Sequence, residues 1–110
     1  MEPTETREPK YTSQQIVEET GLSYRQVDYW CRKGYFGEHH QNDHTGSGNR
    51  REFTAEERHL ARQLAILGKM GLTPLDSLVV LSHTRELVSG EFQAALPAEL
   101  GGVSLYWRLP

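Results

Sequence analysis

Cysteine is all but missing from this chain. Cys31 stands alone, so no disulfide can form within one copy and a thiolate-rich metal site cannot be built from it. A single free cysteine reads as a small buried hydrophobe rather than a reactive thiol. Long apolar runs are missing as well. No stretch approaches the roughly 18 consecutive apolar residues that a membrane span needs, and the opening "MEPTETREPKYT" is acidic and polar, unlike a secretory leader. These absences lead us to expect a soluble, cytoplasmic protein. A strong positive charge is lacking too, since the formal net charge is −3, which sets the chain apart from highly basic nucleic-acid binders. That total hides an uneven distribution. Residues 23–62 carry seven Lys or Arg against six Asp or Glu, a balance of +1, while the remainder carries five against nine, a balance of −4. A chain of 110 residues suits one domain, or one domain with an appendage, and buries only a modest core.

What is present is mostly helical patterning. Residues 1–10 read as a disordered polar tail. Thr12 or Ser13 caps a short helix expected at about 13–19, with Ile16 and Val17 inward and Gly21 as its stop. A second helix, expected at about 24–33, starts almost at once with Ser23 as N-cap. Arg32 and Lys33 suit the negative end of its dipole, and Gly34 closes it. Two short helices joined by a tight Gly-containing turn form a helix-turn-helix pattern.

The segment "SYRQVDYWCRKG" sorts into two faces at about 100° per residue. Tyr24, Val27, Trp30 and Cys31 fall on the inward side; Arg25, Tyr29 and Arg32 fall on the other, flanked by Gln26 and Lys33. The outward set combines a forked donor, an aromatic hydroxyl and further cations, which suits phosphates and base edges. A solvated surface helix shows outward charges as well, so this helix alone does not decide.

Residues 35–53, "YFGEHHQNDHTGSGNRREF", lose helical periodicity and end in Arg50 and Arg51 beside Phe53. They read as a β-hairpin with a flexible tip around Asp43 to Gly48, able to lie along a phosphate backbone. Thr54 and Glu57 form a capping box for a helix at about 55–69, whose Leu60, Leu64 and Leu67 repeat at i, i+4, i+7. Thr73 followed by Pro74 starts another helix, expected to run over 74–89 with Leu75, Leu78, Val79 and Ser82 inward. In the tail, Phe92, Ala94 and Leu96, and then Val103, Leu105, Trp107 and Leu109, alternate with period two around Gly-Gly. That predicts a C-terminal β-hairpin. A lone hairpin is marginal, so its apolar face must pack on the last helix or on a second subunit. The preferred expectation is a homodimer through residues 83–110.

In this order the motifs resemble one family. "YTSQQIVEETGLSYRQVDYWCRKGYF", then "GSGNRREFT", then "LAILGKMGLTPLDSLVVL" is similar to the winged helix-turn-helix domain of the MerR family, and its "YRQVDYW", "GSG" and Arg-x-Phe resemble the actinobacterial type. The similarity runs from about Tyr11 to Leu81. It implies a mainly α fold with a small β wing, a DNA-binding domain over 11–82, and sequence-specific binding of double-stranded DNA as a small transcriptional regulator. By the same resemblance Arg25 enters the major groove, Tyr29 lies near phosphates and Arg51 holds the DNA backbone. The DNA-binding set is thus Ser23, Tyr24, Arg25, Gln26, Tyr29, Arg32, Lys33, Arg50 and Arg51. One departure concerns Asp28, where many family members carry Arg; it removes a phosphate contact and adds repulsion. Only residues 82–110 follow the domain, too few for both a long coiled coil and an effector site. No small-molecule effector is therefore expected, and a minimal, nucleoid-associated repressor fits better than a ligand sensor.

Rival readings come from other classes. His39, His40 and His44 with Asp43 have ligand chemistry, but they share one loop without a scaffold and read as a polar wing tip whose histidines gain charge below about pH 6.5. Isolated His59 and His83 are treated alike. No metal, cofactor or enzymatic activity is expected. A phage excision factor, a terminase small subunit or a protein-interaction module without DNA binding remain the alternatives, Asp28 being the best support for the last.

Overall fold

A computed structural model describes residues 10–37, 40 and 51–110. Among these residues it shows four α-helices and two small antiparallel sheets, and the chain divides into two units, residues 1–62 and 63–110. The division falls inside a helix.

In the first unit, Tyr11–Thr12 (β1) leads into Ser13–Thr20 (α1). Thr12 is the N-cap: the Gln15 amide N–H donates to Thr12 Oγ1 at 3.1 Å, and the Thr12 N–H donates to Gln15 Oε1 at 2.8 Å. Two of the backbone donors that a helix start leaves unpaired are thereby met. Gly21 ends α1 with φ +78°, a left-handed conformation open to glycine at no steric cost, and its N–H donates to the Val17 carbonyl. After a three-residue turn, Tyr24–Arg32 (α2) begins under a second capping box, made by Ser23 and Gln26. Glu52–Phe53 (β2) pairs antiparallel with β1, Tyr11 opposite Phe53. Ile16, Val27, Trp30, Cys31, Phe36 and Phe53 are buried. Phe36 stands edge-on to Phe53 at 5.6 Å between ring centroids and tilts against Trp30 at 6.3 Å. The isolated cysteine is a buried hydrophobe, as its solitude suggested. The expected hairpin tip, with Arg50, His39, Asp43 and His44, lies outside the described residues.

Ala55–Lys69 (α3) starts where Thr54 and Glu57 cap each other, the Thr54 N–H donating to Glu57 Oε1 at 2.8 Å and the Glu57 N–H to Thr54 Oγ1 at 3.1 Å. It passes from the first unit into the second. There Pro74–Leu81 (α4) follows, capped by Thr73 with proline at its start. Two expectations fail on this helix. Its buried positions are Ser77 and Val80, while Leu75, Val79 and Ser82 are exposed. A run as uniformly apolar as Leu78 to Leu81 carries no periodic signal to choose a face. Nor does it continue to residue 89. Ser82 caps it, Thr84 Oγ1 donates back to the Val80 carbonyl at 2.7 Å, and Thr84–Val88 becomes a strand (β3).

That strand turns the expected hairpin into a three-stranded meander. Glu91–Ala95 (β4) lies between β3 and Ser104–Arg108 (β5), all antiparallel, with a 3-10 turn at Ala98–Leu100 between β4 and β5. Phe92 faces Trp107 in register and their rings stack at 6.0 Å, while Ala94 faces Leu105. Val103, also expected inward, is 48% exposed, whereas the period-two reading holds for Phe92, Ala94, Trp107 and Leu109, which are buried. Their apolar face does not await a second subunit: Phe92, Ala94, Trp107 and Leu109 form one buried cluster with Leu67 and Val80 of the same chain. The Trp107 indole N–H donates to Gln63 Oε1, which meets the one polar atom that its ring takes into the interior.

Candidate nucleic-acid interface

The outward face of α2 is built by its cap. Ser23 has extended backbone angles, its Oγ accepts the Gln26 N–H at 3.1 Å, and Gln26 Oε1 accepts the Ser23 N–H at 3.0 Å. The helix that follows buries Val27, Trp30 and Cys31 at i, i+3 and i+4. Arg25, Gln26, Tyr29, Arg32 and Lys33 are exposed, as their spacing predicts. Tyr24 is a correction to the face assignment. It is 46% exposed rather than inward, because the first turn projects beyond the positions that Val27 and Trp30 cover; it joins the outward set. The Lys33 ammonium lies 5.7 Å from the Tyr29 ring centroid, a loose cation–π contact at an exposed site.

Arg51 departs furthest from the sequence reading. A residue expected to hold a phosphate backbone is 5% exposed, and its guanidinium meets Asp28 Oδ1 at 3.1 Å. A second nitrogen reaches toward the His40 carbonyl at 3.5 Å. Asp28 also accepts Arg32 Nε at 2.8 Å across one turn of α2. The acidic residue that seemed only to repel DNA is thus claimed by two guanidiniums, one buried and one exposed. No signal local to either residue announces this pairing, because Asp28 and Arg51 are distant in sequence.

His40 is the second residue misread. It is 3% exposed rather than part of a solvated tip. Its ring stacks on Phe53 at 4.7 Å and stands edge-on to Phe36 at 6.4 Å, while Nε2 meets Glu57 Oε1 at 3.2 Å. That oxygen already accepts the Thr54 N–H, so Glu57 serves the cap of α3 and His40 together. Glu19 and Arg58 make a further tie between α1 and α3 at 2.6 Å, with the Arg58 guanidinium over the Tyr11 ring at 4.9 Å. The hydrogen bond to Glu19 raises the Arg58 pKa above its ordinary value. Among the described residues no group of three His, Cys, Asp or Glu is placed to hold a metal ion.

These ties leave one surface with the chemistry that the sequence singled out: a capped helix carrying two tyrosines, two arginines, a lysine and a glutamine toward solvent. Comparison with protein-family profiles, with curated proteins and with solved structures found no match for the chain.

Proposed function

We propose that the chain is a small winged helix-turn-helix protein of MerR-like type that binds double-stranded DNA, with α2 as the helix that enters the major groove. The supporting observation is the fate of Asp28. Left bare, its carboxylate would oppose a phosphate backbone; held by Arg51 and Arg32, its charge is offset from within the protein. Around it, Tyr24, Arg25, Gln26, Tyr29, Arg32 and Lys33 all stand exposed on one short helix, and a helix of this width fits the major groove. The capped pair α1 and α2, joined by a left-handed glycine, supports the helix-turn-helix part of that reading.

Fluorescence anisotropy on labelled duplexes of about 20 base pairs, from about 50 mM salt upward, tests the reading. Parent protein should bind, with affinity falling as salt rises. Arg25→Ala should lose on the order of 1–3 kcal/mol on a preferred site and less on scrambled duplex. An absence of binding at the lowest salt refutes it. Sedimentation of the complex then counts the copies per duplex.

A further inference from the structure

We infer that the capping box of α2 makes Gln26 a donor-only reader, so that this helix selects guanine rather than adenine in the major groove. The inference rests on the DNA-binding reading above and names what that surface recognises. The two halves of a carboxamide are hard to tell apart by shape, but here the hydrogen bonds decide. A backbone N–H can only donate, so the Gln26 atom 3.0 Å from the Ser23 nitrogen is the oxygen. The Ser23 hydroxyl accepts the Gln26 N–H at 3.1 Å and directs its own hydrogen to the same oxygen at 3.4 Å. Oε1 is thereby turned into the cap, held by the Ser23 N–H. What the exposed side chain still presents is its NH2 group.

Adenine offers an N7 acceptor beside an N6 donor, and glutamine reads it by matching both with its two halves. Gln26 lacks the acceptor half unless the cap breaks. Guanine offers two acceptors, N7 and O6, which an NH2 group and the neighbouring Arg25 guanidinium both satisfy. The hydroxyls of Tyr24 and Tyr29 rotate to suit either base. The fixed groups at the start of α2 are donors.

The test selects a duplex from a random pool with the parent protein, then replaces each purine of that duplex in turn by its 7-deaza analogue, which lacks the N7 acceptor. Gln26→Glu is the informative variant. Glutamate is itself a capping-box residue, so the helix keeps its cap while the NH2 donors disappear. Its added charge weakens binding to every duplex, and the readout is therefore the ratio between normal and deaza DNA. Parent should lose roughly tenfold at one guanine, and Gln26→Glu should show almost no loss there while keeping its sensitivity elsewhere. The inference is overturned if the lost sensitivity maps to an adenine, if every sensitivity survives in Gln26→Glu, or if selected and scrambled duplexes bind alike. No binding to any duplex at about 50 mM salt instead removes the DNA-binding reading, and this inference with it.

Discussion

Replacing Arg51 by alanine separates a phosphate contact from an internal ion pair. Removing one member of a buried pair costs about 3–5 kcal/mol when the other is left charged and uncompensated. Here the survivor is milder, since the Asp28 side chain is 33% exposed and keeps Arg32 at 2.8 Å. That lowers the electrostatic part to about 1–2 kcal/mol. The buried aliphatic stem of Arg51 adds about 1 kcal/mol of lost packing. Arg51→Ala should therefore destabilise by about 2–3 kcal/mol in urea unfolding followed by far-UV circular dichroism. A double-mutant cycle with Asp28→Asn should return a coupling of about 1–2 kcal/mol, as for side chains in direct contact. DNA titrations of the variant, run where it is still folded, should keep the parental dependence on salt, because no phosphate contact has gone. If Arg51→Ala melts as the parent does and its salt slope falls by about one, the guanidinium faces DNA and the pairing with Asp28 is wrong.

Ser77 is 0% exposed, and its Oγ is a buried side-chain atom with no hydrogen-bond partner among the described residues; Ser77→Ala should raise stability by about 1 kcal/mol in the same urea assay. Deleting residues 91–110 removes β4 and β5, and with them Phe92, Ala94, Trp107 and Leu109 from the cluster around Leu67 and Val80. The truncated chain should aggregate or lose cooperative unfolding by light scattering and circular dichroism, rather than yield the well-folded monomer that a hairpin used only for dimerisation would leave. A chelator should leave the Tm unchanged, and a drop on adding it would mean that a metal supports the fold.

The elements that sequence announced are those with a local cause. Thr12 with Gln15, Ser23 with Gln26, Thr54 with Glu57 and Thr73 with Pro74 each act within one turn, so spacing alone places the helix starts. The alternation of Phe92, Ala94 and Trp107 survives for the same reason: a strand's period needs no partner to be visible. β3 was hidden because its cause is not local. "TRELV" follows α4 with no proline or glycine before Gly90 to mark a break, and pairing with β4 makes it a strand. The site divides along the same line. Exposure of Arg25, Tyr29, Arg32 and Lys33 follows from helical spacing, whereas burial of Arg51 and His40 depends on Asp28, Glu57 and two phenylalanine rings brought together by the fold. Charge and a polar loop suggest a surface position, and that expectation misleads where a partner waits at long range.

The same pairings bound how tightly a single copy can hold DNA. Arg51 is occupied by Asp28 and Arg58 by Glu19, so neither is a ready phosphate ligand. With Arg25 given to a base edge, there remain Lys33 and Arg32 at the end of α2, the latter half-claimed by Asp28 through an exposed pair that yields easily. Two phosphate contacts give a salt slope of about −1.8, and a rise from about 50 to 200 mM salt then weakens binding roughly twelvefold. For a protein with a formal charge of −3, a dependence this shallow leaves little general attraction for DNA. On the proposed DNA-binding reading, retention on a site at physiological salt comes from base contacts at the start of α2, from Arg50 and its neighbours, or from a second copy doubling the phosphate count. A measured slope of about −1.8 assigns the work to α2 alone, whereas a slope of about −3.6 with two copies per duplex assigns it to a pair.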